Sequence, residues 1–148
     1  MNMQLNMQAG GQSKTAFHLD NYQWHYRALL IFTPKSDYPA FQTQLAELES
    51  QKDGLCDRDL KLVSLVQNGK SYAEQTIISE PIAEQIRFQF AVEPEEFAVI
   101  LVGKDGTQKH RYSHPILIEE LLATIDAMPM RQYEMQHGNR PSTRMTVC

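Results

Sequence analysis

The sequence predicts an α/β domain with a four-stranded mixed sheet, strand order 2-1-3-4, and helices on both faces. Three observations carry the prediction. Arg27–Phe32 (RALLIF) and Phe97–Val102 (FAVILV) are continuous apolar runs, the pattern of central strands covered on both faces. The segments between the strands carry apolar residues at helical spacing, as strand–helix–strand units require. Lys104-Asp105-Gly106 lies between two strand-like segments, and Gly106 can take the positive φ that a tight hairpin needs.

The elements follow in order. Residues 1–21 read as a flexible polar leader, and order is expected from Tyr22. Arg27–Phe32 is the first strand. Thr33-Pro34-Lys35-Ser36-Asp37 is the loop after it, with Ser36 or Asp37 as helix cap and Pro39 in the first turn. Phe41, Leu45 and Leu48 share one face of that helix, which ends before Asp53-Gly54. Leu60–Val66 (LKLVSLV) is the second strand, parallel to the first because a helix links them. Gln67–Ile78 is polar and reads as a loop or short hairpin. Ser79-Glu80-Pro81 opens a second helix, with Ile82, Ile86 and Phe90 on one face. Phe97–Val102 is the third strand and Gln108–Tyr112 a polar edge strand. Leu117–Met128 is the last helix, with Leu121, Leu122, Ile125 and Met128 turned inward. Pro129 is expected to stop or kink it. Residues 136–148 read as a disordered tail. The resulting order, β-α-β-α-β-β-α, is the minimal thioredoxin-like arrangement.

The chain has 148 residues, enough for one domain with a core, and 42% of them are hydrophobic. The net charge of −4 argues against non-specific nucleic-acid binding. No apolar run reaches the roughly eighteen residues of a membrane span. The first twenty residues lack the apolar stretch of a signal peptide, so the default compartment is the cytoplasm.

A thioredoxin-like enzyme puts its reactive cysteine just after the first strand, where a helix N-terminus lowers the thiol pKa. Thr33–Asp37 contains no cysteine, and no proline stands immediately before Phe97. Cys56 is the one cysteine inside the domain, and Cys148 is the last residue. Cys56 lies at the entry to the second strand, the opposite pole from the thiol position. Arg58 would lower its pKa and Asp57 and Asp59 would raise it. His110 and His114 stand four apart, a spacing that joins side chains on a helix, but they fall on a strand and the loop after it. No cofactor motif is present: the chain has no glycine-rich phosphate loop and seven glycines in all.

One set of residues identifies a family. These are Trp24 with Arg27, Asp57-Arg58-Asp59, Phe97, Gly103-Lys104-Asp105-Gly106, Ile125 through Arg131 (IDAMPMR), and Glu134-Met135. Across roughly residues 22 to 135 the chain resembles the thioredoxin-like domain-of-unknown-function family 4174. That family occurs in many bacterial proteins and in vertebrate sushi-repeat and coiled-coil-domain matrix proteins. The resemblance implies the thioredoxin-like fold and no established reaction. Relatives of this kind are often exported.

Tracing strand directions brings these motifs together. Asp57, Arg58 and Asp59 enter the second strand, Lys104 and Asp105 turn the hairpin, and Arg131 and Glu134 follow the last helix. Topology places all seven, with Trp24, at the pole opposite Thr33–Asp37. Two readings compete. In the first, Arg131 or Arg58 clamps Asp57, Asp59 or Asp105, with Met128 and Met130 packed around Trp24. In the second, Arg58, Lys104 and Arg131 bind a small anion, with an aspartate for a metal or hydroxyl. Met128, Met130 and Met135 beside Tyr133 also suit an adaptable protein-binding surface. The expected function is a non-catalytic binding or structural module with a protein partner. The alternatives are a divergent thiol oxidoreductase or peroxiredoxin-like enzyme using Cys56, and a small-anion or metal-binding protein using the charged pole.

Overall fold

The computed structural model describes residues 17–137. A short 3-10 turn, Leu19–Tyr22, leads into β1 (Arg27–Thr33), α1 (Pro39–Glu49), α2 (Lys52–Asp57) and β2 (Leu60–Val66). A hairpin of β3 (Ser71–Ala73) and β4 (Thr76–Ile78) follows, then α3 (Glu80–Gln89) and β5 (Ala98–Val102). The chain continues through β6 (Gln108–Tyr112), α4 (Ile118–Asp126) and α5 (Pro129–His137).

The sheet order is β4-β3-β2-β1-β5-β6. β1 runs parallel to β2, with Arg27 opposite Leu60, and antiparallel to β5, with Ala28 opposite Val102. The four predicted strands thus hold their predicted order, but the sheet has six strands, not four. The additional two come from Gln67–Ile78, where only Ser71, Ala73 and Ile78 are buried. They form the short hairpin that was one of the two readings of this segment, since strands this short carry too little alternation to choose between hairpin and loop.

β1 is buried along its whole length because its alternate side chains feed two cores. Leu30 and Phe32 join Val63, Leu65 and Ile100 beneath Ala83, Ile86 and Phe90 at the α3 side. Leu29 and Ile31 join Val99 and Leu101 beneath Phe41 and Leu48 of α1 and Leu121 and Ile125 of α4. Each such Val, Leu, Ile or Phe contributes about 1.5–3 kcal/mol by leaving water. Phe17, Leu19 and Tyr22 pack on the α3 side, so contact with the core begins inside the stretch read as leader.

The helix ends differ from the sequence reading in two places. Neither Ser36 nor Asp37 caps α1. Its N-cap is Tyr38, without a side-chain bond, because Pro39 presets the first turn and needs no N–H partner. Tyr38 instead stacks on Phe97, ring centroids 5.8 Å apart. Pro129 does end α4, yet it also opens a further helix, again as a first-turn proline that presets φ. Gln136 and His137, assigned to the tail, close this α5; residues 138–148 lie outside the described residues. The six-residue α2 was hidden by Gly54, a poor helix former.

Candidate functional site

The starts of β1 and β2, the β5–β6 turn and the ends of α4 and α5 meet at one pole, as the strand directions require. Arg27 opens β1 with 1% of its side chain exposed. Its guanidinium donates to both carboxylate oxygens of Glu134, at 3.2 and 3.1 Å, and to the Arg58 carbonyl at 2.9 Å. Lys104 Nζ reaches Glu134 at 2.7 Å and Asp59 at 2.9 Å. Arg58 grips Asp126 with two bonds of 2.9 and 2.8 Å and donates to the Gly54 carbonyl. Arg131 donates to Asp126 at 3.0 Å and to Asp57 at 2.9 Å. Four cations therefore face four carboxylates, all within hydrogen-bonding reach.

The electrostatics follow from this pairing. Burial alone would push the Glu134 carboxyl up, but the bonds and charges of Arg27 and Lys104 hold it below its usual value. Burial would likewise raise Asp126, and Arg58 and Arg131 hold it down. Burial disfavours the Arg131 cation, while Asp126 and Asp57 more than offset that and hold its pKa up. The charges of these eight side chains balance.

Six of the seven predicted site residues join this network. Asp105 does not. Lys109 holds it, at 2.8 Å, and it also accepts from the Thr107 backbone and hydroxyl, which fixes the turn. Those bonds, led by Lys109, lower its pKa to about 2. Gly106 takes φ +85° as the hairpin demands. Two members were absent from the predicted site, Arg27 and Asp126. Both belong to the motifs that mark the family, but neither was given a role at the pole. The available signal was the charge of Arg27 at the start of an otherwise apolar run.

Trp24 does not pack among methionines. It is 61% exposed, its backbone sits at φ +71°, and its N–H donates to the Lys104 carbonyl at 2.6 Å. A tryptophan in the left-handed region is uncommon, and here the bond to Lys104 holds it. Met130, Tyr133 and Met135 are exposed on α5, while Met128 packs against the α4 core.

At the other pole, the loop after β1 is tied up locally. Thr33 Oγ1 donates to the Lys35 carbonyl, and the Pro34 carbonyl accepts from Asn68. Cys56 sits half-buried in α2, and no cysteine among the described residues is free. The Arg58 guanidinium is directed to Asp126 and the Gly54 carbonyl. His110 and His114 flank Tyr112 in a ladder of rings spaced 6.1 and 6.0 Å, because alternate strand residues share a face. Among the described residues no group of three or more His, Cys, Asp and Glu is placed to hold a metal ion.

Arg131→Ala should cost about 1–2 kcal/mol in urea denaturation. Its partner Asp57 is half-exposed and Asp126 keeps Arg58, so neither carboxylate is stranded. A loss above about 4 kcal/mol would place the main strength of the clamp in Arg131 instead.

A family model described as Domain of unknown function (DUF4174) matches residues 18–134. Coiled-coil domain-containing protein 80 of Danio rerio is 32% identical over 133 residues, covering 79% of this chain and 15% of that protein. Human Sushi repeat-containing protein SRPX is 29% identical over 136 residues, covering 88% of this chain and 29% of that protein. The chain therefore spans less than a third of either relative. Among solved structures, a reduced 2-Cys peroxiredoxin of Plasmodium vivax matches with TM-score 0.57 and 17% identity, over 79% of this chain and 84% of that one. Enterococcus faecalis AhpC matches with TM-score 0.53 and 15% identity, over 82% and 83%. At such identities the likeness shows the thioredoxin-like fold alone. The relatives named are vertebrate, and they lend no support to a bacterial or cytoplasmic assignment. No helix among the described residues is long and apolar enough to cross a membrane.

Proposed function

Because the chain belongs to the family described as Domain of unknown function (DUF4174), whose name carries no reaction, we propose that it is a non-catalytic thioredoxin-like module that binds a protein partner or stabilises an assembly. One observation carries the reading. The loop where this fold places a reactive thiol, Thr33–Asp37, holds no cysteine and its backbone is engaged by Asn68 and Gln67. The charged pole supports the same reading. Its cations are matched by its own carboxylates, so an incoming anion would have to displace Glu134 or Asp126 from buried arginines. It acts as a clamp that fixes α5 on the sheet.

Peroxide and insulin-disulfide reduction, assayed with a dithiol reductant, should stay at the uncatalysed rate. Turnover that disappears in Cys56→Ser would overturn the reading and restore the thiol enzyme. Thermal shifts with phosphate and divalent ions address the anion reading. A rise in melting point abolished by Arg131→Ala would make the pole a binding site.

A further inference from the structure

Cys56 is the one cysteine inside the domain, and its sulfur is disulfide-bonded. The chain holds one other cysteine, Cys148, which lies outside the described residues. Reach permits the two to meet. Arg131 of α5 donates to Asp57, the neighbour of Cys56, at 2.9 Å. From Arg131 to His137, α5 adds about 9 Å at roughly 1.5 Å per residue. With both side chains and one Cα step added, His137 stands at most about 27 Å from Cys56. The eleven residues 138–148 can span about 36 Å when extended.

The surroundings suit a lasting bond. A thiolate leaving from Cys56 would depart at the negative end of α2, beside the Asp57 carboxylate. The cations of this corner are already engaged, Arg58 by Asp126 and Arg131 by Asp126 and Asp57. A leaving group without a cation to steady it makes reduction harder. We infer that Cys56 and Cys148 form an intrachain disulfide, a covalent staple that ties the C-terminal end to α2 beside the charge clamp. It forms by exchange with a small disulfide such as oxidised glutathione. One cysteine thiolate displaces a glutathione thiolate, and the second cysteine thiolate displaces the other. Two protein thiols and one glutathione disulfide thus become one protein disulfide and two glutathione thiols. Such bonds persist in oxidising compartments, so the staple counts against the cytoplasm as the default. The inference goes beyond the module reading and does not depend on it.

The test uses the full chain, reduced, equilibrated with oxidised glutathione, then alkylated under denaturing conditions and weighed. The oxidised monomer should take up no alkyl group, against two after reduction. Proteolysis should release one linked peptide pair that holds Cys56 and Cys148. Oxidation should raise the melting point by about 5 °C or more. Cys148→Ser leaves α2 untouched and should melt with the reduced wild type in either buffer. Two alkyl groups on the oxidised chain, glutathione retained on Cys56, or a dimer joined through Cys56 would overturn the pairing. A bond that forms but leaves the melting point unchanged would overturn its role as a staple. The mapping is made on wild type, so the test stays decisive if the variant folds poorly. None of these outcomes touches the module reading, which only Cys56-dependent turnover removes.

Discussion

Glu134→Ala is expected to destabilise the domain by about 3–5 kcal/mol, more than any other single change at the charged pole. Glu134 lies within ion-pair reach of three buried cations, Arg27, Lys104 and, at 3.8 Å, Arg131. Its two oxygens meet the Arg27 fork at 3.1 and 3.2 Å, and one also accepts from Lys104. Arg27 is 1% exposed and keeps only the Arg58 carbonyl once Glu134 is gone. Lys104 retains Asp59. The cost is that of a stranded guanidinium rather than the worth of a pair. Replacing both partners, as in Arg27→Met with Glu134→Leu, should therefore recover much of the loss. Urea denaturation of the two variants checks this. A double variant no more stable than Glu134→Ala would mean that the pair itself, not burial of an unmatched charge, sets the energy.

The same clamp sets a pH dependence. Glu134 and Asp126 have folded pKa values held below their unfolded ones, so the folded state binds fewer protons. Their stabilisation is complete above the unfolded carboxylate values, near pH 4–4.5, and is lost as pH falls through the depressed folded values. Wild type should lose stability steeply below about pH 4, and Glu134→Gln less steeply over that range.

The legible parts of the fold are those where one physical signal acts alone. β1, β2 and β6 were read almost to the residue, because burial on both faces or none leaves a plain pattern. β3 and β4 were legible only as one of two alternatives, a loop or a short hairpin, and α2 escaped, because three to six residues cannot display a period. The charged pole was legible through topology: strand directions alone bring Asp57, Arg58, Asp59, Lys104, Arg131 and Glu134 to one end. Which cation meets which carboxylate was not, since pairing depends on side-chain reach between residues as far as 107 positions apart in the chain. Arg27 illustrates the gap. Its place in a strand hid a charge that only a later helix, begun by Pro129, neutralises.

Gln44 was missed for the opposite reason: on a helix it reads as a solvent-facing residue. It is wholly buried, and its amide donates to the Ile116 carbonyl at 3.0 Å and accepts the Ile116 N–H at 2.8 Å. It thereby ties α1 to the segment that leads into α4, where Glu47 also accepts the Ile118 N–H at 2.7 Å. Gln44→Ala should cost about 3 kcal/mol, since each backbone group left unpaired in the core costs about 1–3 kcal/mol. Gln44→Glu separates this bonding from simple packing. As a carboxylate it accepts from Ile116 N–H but cannot donate to the carbonyl, and burial raises its pKa above the unfolded value. Protonated, it can do both. Its deficit relative to wild type should therefore be large at pH 7 and shrink as pH falls toward 4, opposite in sign to the Glu134 effect. A deficit that does not change with pH would mean that shape, not the paired amide, is what Gln44 supplies.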